Sequence, residues 1–568
     1  MSILKKLLLV GLILMRVSVQ SQTLKDGLTA WGNENYISAR EIFKKVSEAE
    51  PTNATAAFYY GQVLFKLGDV NGSKASFDKG ALARPTEFLC LVGQAKCMLD
   101  AGDVLNADKK IASVLKATKS KDSDVLRYIA EAYATNKNKD WAKAIDYATQ
   151  AAVSIKGKTD FNTFNTLGDV YFDKHYSGNG EDKDIGNAVT NYEKAYQLNP
   201  ASPYAMTRVG KIWSTTRMEQ SYKLTIDALD KANAVKPDYL PLHSVYAFIY
   251  EKTGQYEKAK TEQQIYMSGC DDKIKPNDRM INILYKLKDW NGTLTLAKKM
   301  NEVLPGNCDY VRVLAQVNTE LGNHAEAIKF FNQYLSKCDL SKMDIDDYNY
   351  LAKSNRGVGN DSASIRYYYK VIGLDSSKEQ SILKEIANGF YSARKYDLAI
   401  NSFKNLLAKY PTPNALYKLM DCYYLAKKWN ETNISADTFI VQNGSNPIGY
   451  LYKAKALYYL DTLNDRKASA DMYKTFLDKA SDTAFSKAVL KSDLIEANGQ
   501  LMQYSIRKND YKKALEFCEI VLKIDPSNTR FLDFKTKLEK RINTANMPAK
   551  PAEKPKATEN TKTPSPKK

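Results

Sequence analysis

The sequence predicts an all-α fold in which short helix hairpins stack into an α-solenoid. Near the N-terminus three kinds of anchor residue recur at an interval of 34: Gly27 and Gly61, Phe43 and Phe77, and Pro51 and Pro85. A small residue, an aromatic residue and a proline at such a period are typical of a two-helix repeat. The glycine lets two helices cross closely, the phenylalanine fills the gap between neighbouring hairpins, and the proline ends the second helix.

The same anchors continue along the chain, so that about 14 hairpins are predicted. Repeats three to seven are indicated by Ala95, Gly102, Ala107, Ile111, Ala130, Trp141, Ala144, Ala148, Ala151, Leu167, Gly210, Trp213, Ala232, Pro237, Tyr246, Gly254, Tyr256 and Ala259. The later repeats are indicated by Trp290, Pro305, Leu314, Gly322, Ala327, Phe331, Leu351, Gly359, Tyr368, Ala387, Phe403, Pro411, Trp429, Ala456, Tyr459, Leu501, Ala514 and Pro526. A further helix near Thr529–Ile542 has a charged face and is predicted to cap the open end, as a solenoid requires.

One repeat carries most of a known family pattern, with Leu167, Gly168, Tyr171, Ala188, Tyr192, Ala195 and Pro200 at its anchor positions. In this respect the chain resembles the tetratricopeptide repeat (TPR) family. The resemblance implies a right-handed superhelix whose first helices line a concave, ligand-binding groove. An insertion between Tyr171 and Ala188 departs from the pattern, and its residues His175 to Asp184 are predicted to form a longer loop.

The two ends of the chain differ in composition from the repeats. Lys5 and Lys6 precede a short apolar run ending at Met15, which indicates a signal peptide over residues 1–21. The alternative is an uncleaved anchor, but the run is much shorter than the roughly 20 residues that span a bilayer. Residues 546–568 alternate Lys with Pro and are predicted to be a disordered tail. Between the ends we predict an N-terminal array over residues 22–270 and a C-terminal array with its capping helix over residues 271–545.

The net charge of +18 is spread over 568 residues, and part of it lies in the two end segments. No basic run inside the repeats marks a nucleic-acid groove, so nucleic-acid binding is not expected. The Lys-rich tail favours a peripheral contact with the outer membrane or an anionic envelope polymer. Nothing after the N-terminal run is apolar enough to predict a membrane span.

Motifs for chemistry are absent or incomplete. Residues 157–159 copy the end of a phosphate-binding loop, but Ala152 stands where the motif needs its first glycine. The three histidines at positions 175, 243 and 324 have no metal-ligand spacing and are interpreted as surface or turn residues. The carboxylate pairs Asp271-Asp272 and Asp346-Asp347 are interpreted as loop residues or helix caps. We therefore expect no cofactor, no metal and no catalytic residues.

Seven cysteines occur, and most are interpreted as small core residues. Cys308 and Cys338 fall at the same end of one predicted hairpin, and an exported chain is able to oxidise them. The alternatives are a Cys308–Cys338 disulfide and two separate thiols, with Cys270 as a weaker candidate partner. An odd number of cysteines leaves at least one thiol free.

The resemblance also identifies groove positions on the first helices. These positions hold Phe58, Gln62, Phe65 and Lys66 in the second repeat, Asn162, Asn165, Asp169 and Phe172 in the fifth, and Lys384, Asn388 and Tyr391 in the eleventh. Lys384 and Asn388 resemble the start of a clamp with which some TPR domains grip a C-terminal carboxylate. Leu419, Tyr450 and Ala454 stand where the clamp needs Asn, Lys and Arg, so we reject that clamp.

These observations favour a non-enzymatic scaffold that holds a peptide or partner subunit in its groove. The predicted location is the bacterial cell envelope, in the periplasm and associated with the outer membrane, as an accessory of an assembly, secretion or uptake complex. The alternative is a glycan- or substrate-capture protein of the outer membrane. The acceptor-like triplets Asp361-Ser362-Ala363 and Asp482-Thr483-Ala484 resemble bacterial O-glycosylation sites.

Overall fold

The computed structural model describes residues 23–153, 160–216, 220–481 and 489–545. The predicted signal peptide, the Lys/Pro tail, the loop at 157–159 and the triplet at 482–484 lie outside the described residues. The chain divides into two compact units, one up to Leu321 and the other from Gly322. The array boundary that we predict at residue 270 remains a prediction about organisation, and it differs from this division.

Unit 1 is formed by α-helices that follow one another with short turns. They are α1 (Leu24–Gly32), α2 (Tyr36–Ala49), α3 (Ala54–Lys66), α4 (Val70–Ala83), α5 (Phe88–Asp100), α6 (Val104–Thr118), α7 (Ser123–Thr135), α8 (Trp141–Val153), α9 (Phe161–Lys174), α10 (Asp182–Leu198), α11 (Tyr204–Thr215), α12 (Ser221–Val235), α13 (Leu240–Lys252), α14 (Tyr256–Gly269), α15 (Lys275–Lys286), α16 (Trp290–Val303) and α17 (Cys308–Glu320). A π-helical turn, His175–Asn179, follows α9.

Unit 2 has the same organisation. Its helices are α18 (His324–Lys337), α19 (Ile345–Gly357), α20 (Asp361–Leu374), α21 (Glu379–Ser392), α22 (Tyr396–Lys409), α23 (Pro413–Leu425), α24 (Trp429–Gln442), α25 (Ile448–Leu460), α26 (Lys467–Ala480), α27 (Lys491–Arg507), α28 (Tyr511–Ile524) and α29 (Thr529–Ala545). Short 3-10 turns lie at Leu340–Lys342 and Ser376–Lys378. Within the described ranges the secondary structure is helical, without a strand, and the 29 α-helices follow in chain order as fourteen pairs and one terminal helix. The predicted all-α solenoid of about 14 hairpins with a final helix is confirmed.

The recurring glycine and phenylalanine pack as the sequence predicts. A Cβ atom placed on Gly61 would lie 2.5 Å from Cε1 of Phe77, so the close crossing of α3 and α4 requires glycine. Phe77 is fully buried, and its ring also lies against Gly93 of the next hairpin. The Phe77 ring therefore packs both within its own hairpin and between two neighbouring repeats. Pro85 follows the end of α4, as expected.

Most of the described hairpin turns have a residue in the left-handed region. Gly68 has φ = 87°, and its backbone N–H bonds the Phe65 carbonyl. In other repeats the equivalent turn residue is not glycine: it is Lys288, Arg394, Lys427 or Asn509, with φ between 58° and 59°. An Asp or Asn often follows as the N-cap, and Asp69 accepts a hydrogen bond from the Gly72 N–H at 2.8 Å.

The insertion after α9 is not an open loop. His175–Asn179 form the π-helical turn, in which Gly178 has φ = 80°, and α10 begins at Asp182. The Asp184 side chain is buried, caps the Glu181 N–H at 2.9 Å and pairs with Lys174 at 3.0 Å. These contacts fold most of the insertion into the hairpin. In the described part of the chain, no helix has the length and apolarity needed to cross a membrane.

Candidate functional site

The inner face of unit 1 is packed with side chains where the sequence predicts a groove. The ring of Phe58 is fully buried against Tyr128, with the ring centroids 4.8 Å apart. Gln62 is buried, and its Oε1 accepts a hydrogen bond from the Lys96 ammonium at 2.9 Å. Lys96 is itself 4% exposed and pairs with Glu131 at 2.8 Å. Phe58 and Gln62 are thus occupied by internal contacts and present no open surface in this structure.

Asp169, another predicted groove residue, is the centre of a polar network on α9–α11. Its carboxylate accepts hydrogen bonds from the hydroxyl of Tyr192 at 2.6 Å and of Tyr204 at 2.8 Å. It also pairs with the Arg208 guanidinium at 3.1 Å, and that guanidinium stacks on Phe172 at 4.2 Å from the ring centroid. Burial raises the pKa values of Tyr192 and Tyr204 far above those of a free phenol. Both tyrosines therefore stay protonated and donate to Asp169.

The other predicted positions of unit 1 differ in exposure. Lys66 is exposed, with its ammonium 5.4 Å from the Tyr36 ring centroid, while Phe65 is half-buried under the Lys96 ammonium. The backbone N–H of Asn162 donates to the N-cap residue Asp160 at 3.0 Å. Asn165 is buried. Partner binding by these residues remains a prediction.

A clasp of side-chain and backbone hydrogen bonds joins the first hairpin of unit 1 to the segment after α14. Asn35 Nδ2 donates to the Gly269 carbonyl at 2.7 Å, and its Oδ1 accepts from the Asp271 N–H at 3.2 Å. The Asp271 carboxylate in turn accepts from the Ser38 N–H at 2.8 Å, in the first turn of α2. Asn35 does not cap its own helix, and Asp271 satisfies that helix end instead. The first seven hairpins of unit 1 therefore close on themselves.

A cavity of about 230 Å³ lies inside this closed arrangement. Its wall holds the cations Arg208, Lys211 and Arg279 and the carboxylate of Glu34. Two of the cations already have internal partners, since Arg208 pairs with Asp169 and Arg279 lies 3.6 Å from Glu251. The charge of this cavity is therefore largely compensated within unit 1.

The first helices of unit 2 present a more open polar face. Lys384 is exposed and Asn388 is half-buried on α21. Tyr391, one turn further on, donates its hydroxyl to Asp421 of α23 at 2.5 Å, and Lys418 lies over the Tyr391 ring at 4.1 Å. We call Lys384, Asn388, Tyr391 and Lys418 the unit 2 face.

Sequence reasoning missed how the tyrosines join successive repeats. Tyr204 bonds Asp169 at 2.8 Å, Tyr310 bonds Asp278 at 2.6 Å and Tyr452 bonds Asp421 at 2.6 Å, over separations of 31 to 35 residues. Each of these hydroxyls reaches a carboxylate one repeat away. A Tyr and an Asp separated by about one repeat length are visible in the sequence, and this spacing could have predicted these hydrogen bonds.

A second and larger cavity, of about 630 Å³, lies among α25, α26, α27 and α29. Three guanidiniums line it, those of Arg466, Arg507 and Arg530, together with aromatic rings that include Tyr504 and Phe531. We call it the arginine cavity. This cavity could not be identified from the repeat pattern, because its residues come from two successive hairpins and the terminal helix and fall at no single repeat position.

The interpretation of the histidines as surface or turn residues is wrong for His243. This residue is 6% exposed, and its two ring nitrogens face Glu262 at 2.6 Å and the Pro237 carbonyl at 2.7 Å. Burial alone lowers the His243 pKa, but the hydrogen bonds to Glu262 and Pro237 outweigh it and raise the pKa. Two acceptors on one ring fit the doubly protonated imidazolium.

The carboxylate pairs act as helix caps, as expected. Asp271 caps α2, and Asp347 exchanges capping hydrogen bonds with Asp344 at the start of α19. No group of three or more His, Cys, Asp or Glu residues arranged to hold a metal ion occurs within the described ranges.

Five of the seven cysteines are free thiols. Cys90, Cys97, Cys270, Cys422 and Cys518 are free and buried. Burial raises the pKa values of Cys90 and Cys422 to about 12, so these thiols are unreactive at neutral pH. The alternative pairing through Cys270 is not formed. Cys308 begins α17 in unit 1 and Cys338 follows α18 in unit 2, and their pairing remains a prediction.

Comparison with known proteins identifies the repeat. The sequence profile described as "Tetratricopeptide repeat" matches residues 24–82 and 385–431, one segment in each unit. Among solved structures, the C-terminal part of a TPR-containing protein from Cytophaga hutchinsonii is 23% identical, covering 45% of this chain and 98% of that one, with a TM-score of 0.37. The Cut9–Hcn1 hetero-tetramer of the APC/C is 12% identical over 90% and 95% of the two chains, with a TM-score of 0.29. Pseudomonas aeruginosa PilF is 12% identical over 38% and 92%, also with a TM-score of 0.29. No curated protein matches the sequence.

Proposed function

Because the chain is a tetratricopeptide-repeat protein, we propose that it is a non-enzymatic scaffold whose unit 2 face holds a peptide segment or a partner subunit. Proteins of this family are generally interaction scaffolds, and their shape alone does not determine the ligand. The mechanism is geometric: stacked helices hold side chains at fixed positions, and the partner gains affinity because little of the surface has to be ordered on binding.

The observation that supports this proposal is that the unit 2 face is accessible, with Lys384 exposed and Asn388, Tyr391 and Lys418 partly exposed. Its charged and aromatic side chains lie on successive first helices, and the Tyr391–Asp421 hydrogen bond and the Lys418–Tyr391 contact fix their positions. Tyrosine is enriched at protein interfaces, where its ring is buried and its hydroxyl stays bonded. The equivalent positions Phe58 and Gln62 in unit 1 are buried. We therefore propose that the partner binds unit 2.

The bacterial cell envelope is the proposed location. The signal-like segment at residues 1–21 supports export, and the Lys-rich residues 546–568 support a peripheral contact with an anionic envelope surface. In this setting the scaffold serves as an accessory of an outer-membrane assembly, secretion or uptake complex.

Glycan capture is the second candidate, favoured by one aromatic surface. Tyr459 is 53% exposed and stacks on Trp429 with the ring centroids 4.1 Å apart. An exposed, rigid ring is suited to apolar stacking with the face of a sugar. A glycan array with clear hits that disappear in a Tyr459→Ala variant would favour this candidate over the scaffold.

Affinity purification in mild detergent tests the scaffold. The wild-type chain should recover a stoichiometric envelope partner, and Lys384→Glu on the unit 2 face should lose it. Lys404→Glu is the matched control, because Lys404 is an exposed lysine on α22, the second helix of the same hairpin. Failure to recover a partner, or equal recovery by both variants, would contradict the proposal. A screen for turnover with the same preparation should stay silent.

A further inference from the structure

We propose that the arginine cavity binds an acidic, extended segment of the partner. This inference rests on the proposed scaffold function and gives the chemistry of its ligand. The cavity lies entirely in unit 2, and its wall combines Arg466, Arg507 and Arg530 with the aromatic residues Tyr504 and Phe531.

Within the described ranges the three guanidiniums have no close ion pair, although the Asp461 carboxylate accepts the Arg466 backbone N–H, and this hydrogen bond and the Arg466 charge lower the Asp461 pKa. Among the described residues, no carboxylate oxygen lies within 4.0 Å of the guanidinium nitrogens of Arg466, Arg507 or Arg530. Arg507 and Arg530 are exposed to solvent at the cavity. Arginine is the side chain best suited to bind carboxylates, because its planar fork donates two parallel hydrogen bonds.

Arg466 is held in place with donor capacity to spare. Its guanidinium stacks on the Tyr458 ring at 4.0 Å, and its Nη1 donates to the Tyr458 carbonyl. Its Nε is buried and has no hydrogen-bond partner. A buried donor without an acceptor costs free energy, so Arg466 is not fully satisfied by the protein itself.

The acidic residues nearby offset only part of this positive charge, because most of them interact with other cations or with backbone N–H groups. Glu496, which lines the cavity, pairs with Lys455 at 3.0 Å and accepts the Tyr473 hydroxyl at 3.1 Å. Asp465 pairs with Lys508 at 2.8 Å. The cavity therefore carries a surplus of positive charge, whereas the cations of the unit 1 cavity are compensated.

The shape of the cavity favours an extended segment over a compact anion. Its lining follows α27 from Ser492 to Arg507. Fifteen helical steps correspond to about 22 Å, which is the length of roughly six or seven extended residues. A single phosphate would reach only part of this length. The rings of Tyr504, Phe531 and Phe534 offer apolar contacts between the charged ends.

Charge complementarity excludes the chain itself as the occupant. Residues 546–568 contain six lysines and two glutamates, so this segment has the wrong sign for the cavity. A second copy of the chain carries a net charge of +18, which disfavours its approach to the cavity. An acidic segment of another protein has the required sign and length, and single-stranded nucleic acid is the competing ligand that the test must exclude.

A displayed library of random twelve-residue peptides tests the inference with the full-length protein. Peptides enriched on the wild type should contain at least two Asp or Glu around an apolar residue, and an Arg507→Gln/Arg530→Gln double variant should not enrich them. The best enriched peptide is then labelled with fluorescein, and its affinity for the full-length protein is measured by fluorescence anisotropy. Each single Arg→Gln change should weaken binding roughly tenfold, the loss expected for one charge-assisted hydrogen bond. Arg366→Gln on α20, an exposed arginine outside the cavity, is the matched control and should bind within about twofold of the wild type.

The outcomes separate the inference from the proposed function. The acidic ligand would be ruled out if the enriched peptides have no acidic excess, or if changes to the cavity arginines leave the peptide affinity unaltered. In either case the scaffold proposal still holds if the Lys384-dependent partner is recovered. Labelled oligothymidine that binds with the same arginine dependence, in place of any peptide, would assign the cavity to nucleic acid. If no peptide is enriched but inorganic phosphate binds with the same dependence on the cavity arginines, the arginine cavity is a site for small anions only. Each of these results contradicts the proposal.

Discussion

The polar network centred on Asp169 gives the sharpest test of how unit 1 is held together. The perturbation is Asp169→Asn, which keeps the size of the side chain and removes its charge. It leaves the Tyr192 and Tyr204 hydroxyls with a weaker acceptor and leaves the Arg208 guanidinium without a counter-ion within 4.0 Å among the described residues. Partner binding at Asp169 was a sequence prediction, whereas the structure gives this residue a stabilising role.

The expected loss follows from the contacts. Hydrogen bonds to a charged group contribute about 1.5–3 kcal/mol each, and Asp169 accepts from three groups. Asparagine still offers one acceptor oxygen, and the Asp169 side chain is 32% exposed, so solvent screens part of the charge. We therefore expect a loss of about 3 kcal/mol in local stability, which is roughly a hundredfold increase in opening.

Hydrogen exchange measured by mass spectrometry is the suitable assay, because repeats open locally and a global melting temperature averages over them. Exchange of α9–α11 should accelerate roughly a hundredfold, while unit 2 should exchange as in the wild type. Asp227→Asn, an exposed carboxylate on the neighbouring helix α12, is the matched control and should change little. Exchange in α9–α11 within about threefold of the wild type would refute the reasoning, because the network would then contribute almost nothing.

Three further predictions concern other parts of the chain. His243 has a raised pKa in the folded state, so its stabilising contact with Glu262 is complete below about pH 6.5 and is lost as the pH rises through the folded pKa. The free energy of unfolding measured with urea should therefore fall between about pH 5 and about pH 9, and this dependence on pH should be weaker in a His243→Gln variant. Peptide mapping without reductant should find Cys308 and Cys338 in one linked fragment, and alkylation of both as thiols would contradict the pairing. Asn35→Ala should open the clasp and speed exchange in α1 and α2 by about tenfold, a loss of roughly 1.4 kcal/mol, and unchanged exchange there would mean that the clasp does not hold the first hairpin.

The helix hairpins could be predicted from the sequence, because each hairpin depends on packing contacts between residues that recur at a constant interval. Gly61 and Phe77 touch within one hairpin, and the same pair of positions is occupied by Gly168 and Tyr192, where a Cβ would lie 2.7 Å from the ring. Local packing of this kind needs no knowledge of the rest of the chain. The helix count and the terminal helix α29 followed from it.

The closure of unit 1 could not be predicted in this way. Asn35 and Asp271 are 236 residues apart, and their contact depends on the small rotations of seven hairpins added together. An error of a few degrees in each hairpin would separate them. The burial of Phe58 has the same origin, because its partner Tyr128 comes from a hairpin two repeats away. Groove positions taken from one repeat therefore did not reveal which repeats keep an open face.

The unit 2 face is the central claim, and site-specific photo-crosslinking in the native cell tests it most directly. A photoreactive amino acid at position 384 or 388 should form an adduct with one envelope protein, whereas the same group at the exposed position Ala408 on α22 should not. Adducts confined to the two face positions are the result that we predict. Adducts from Ala408 alone, or none from either face position, would contradict the account.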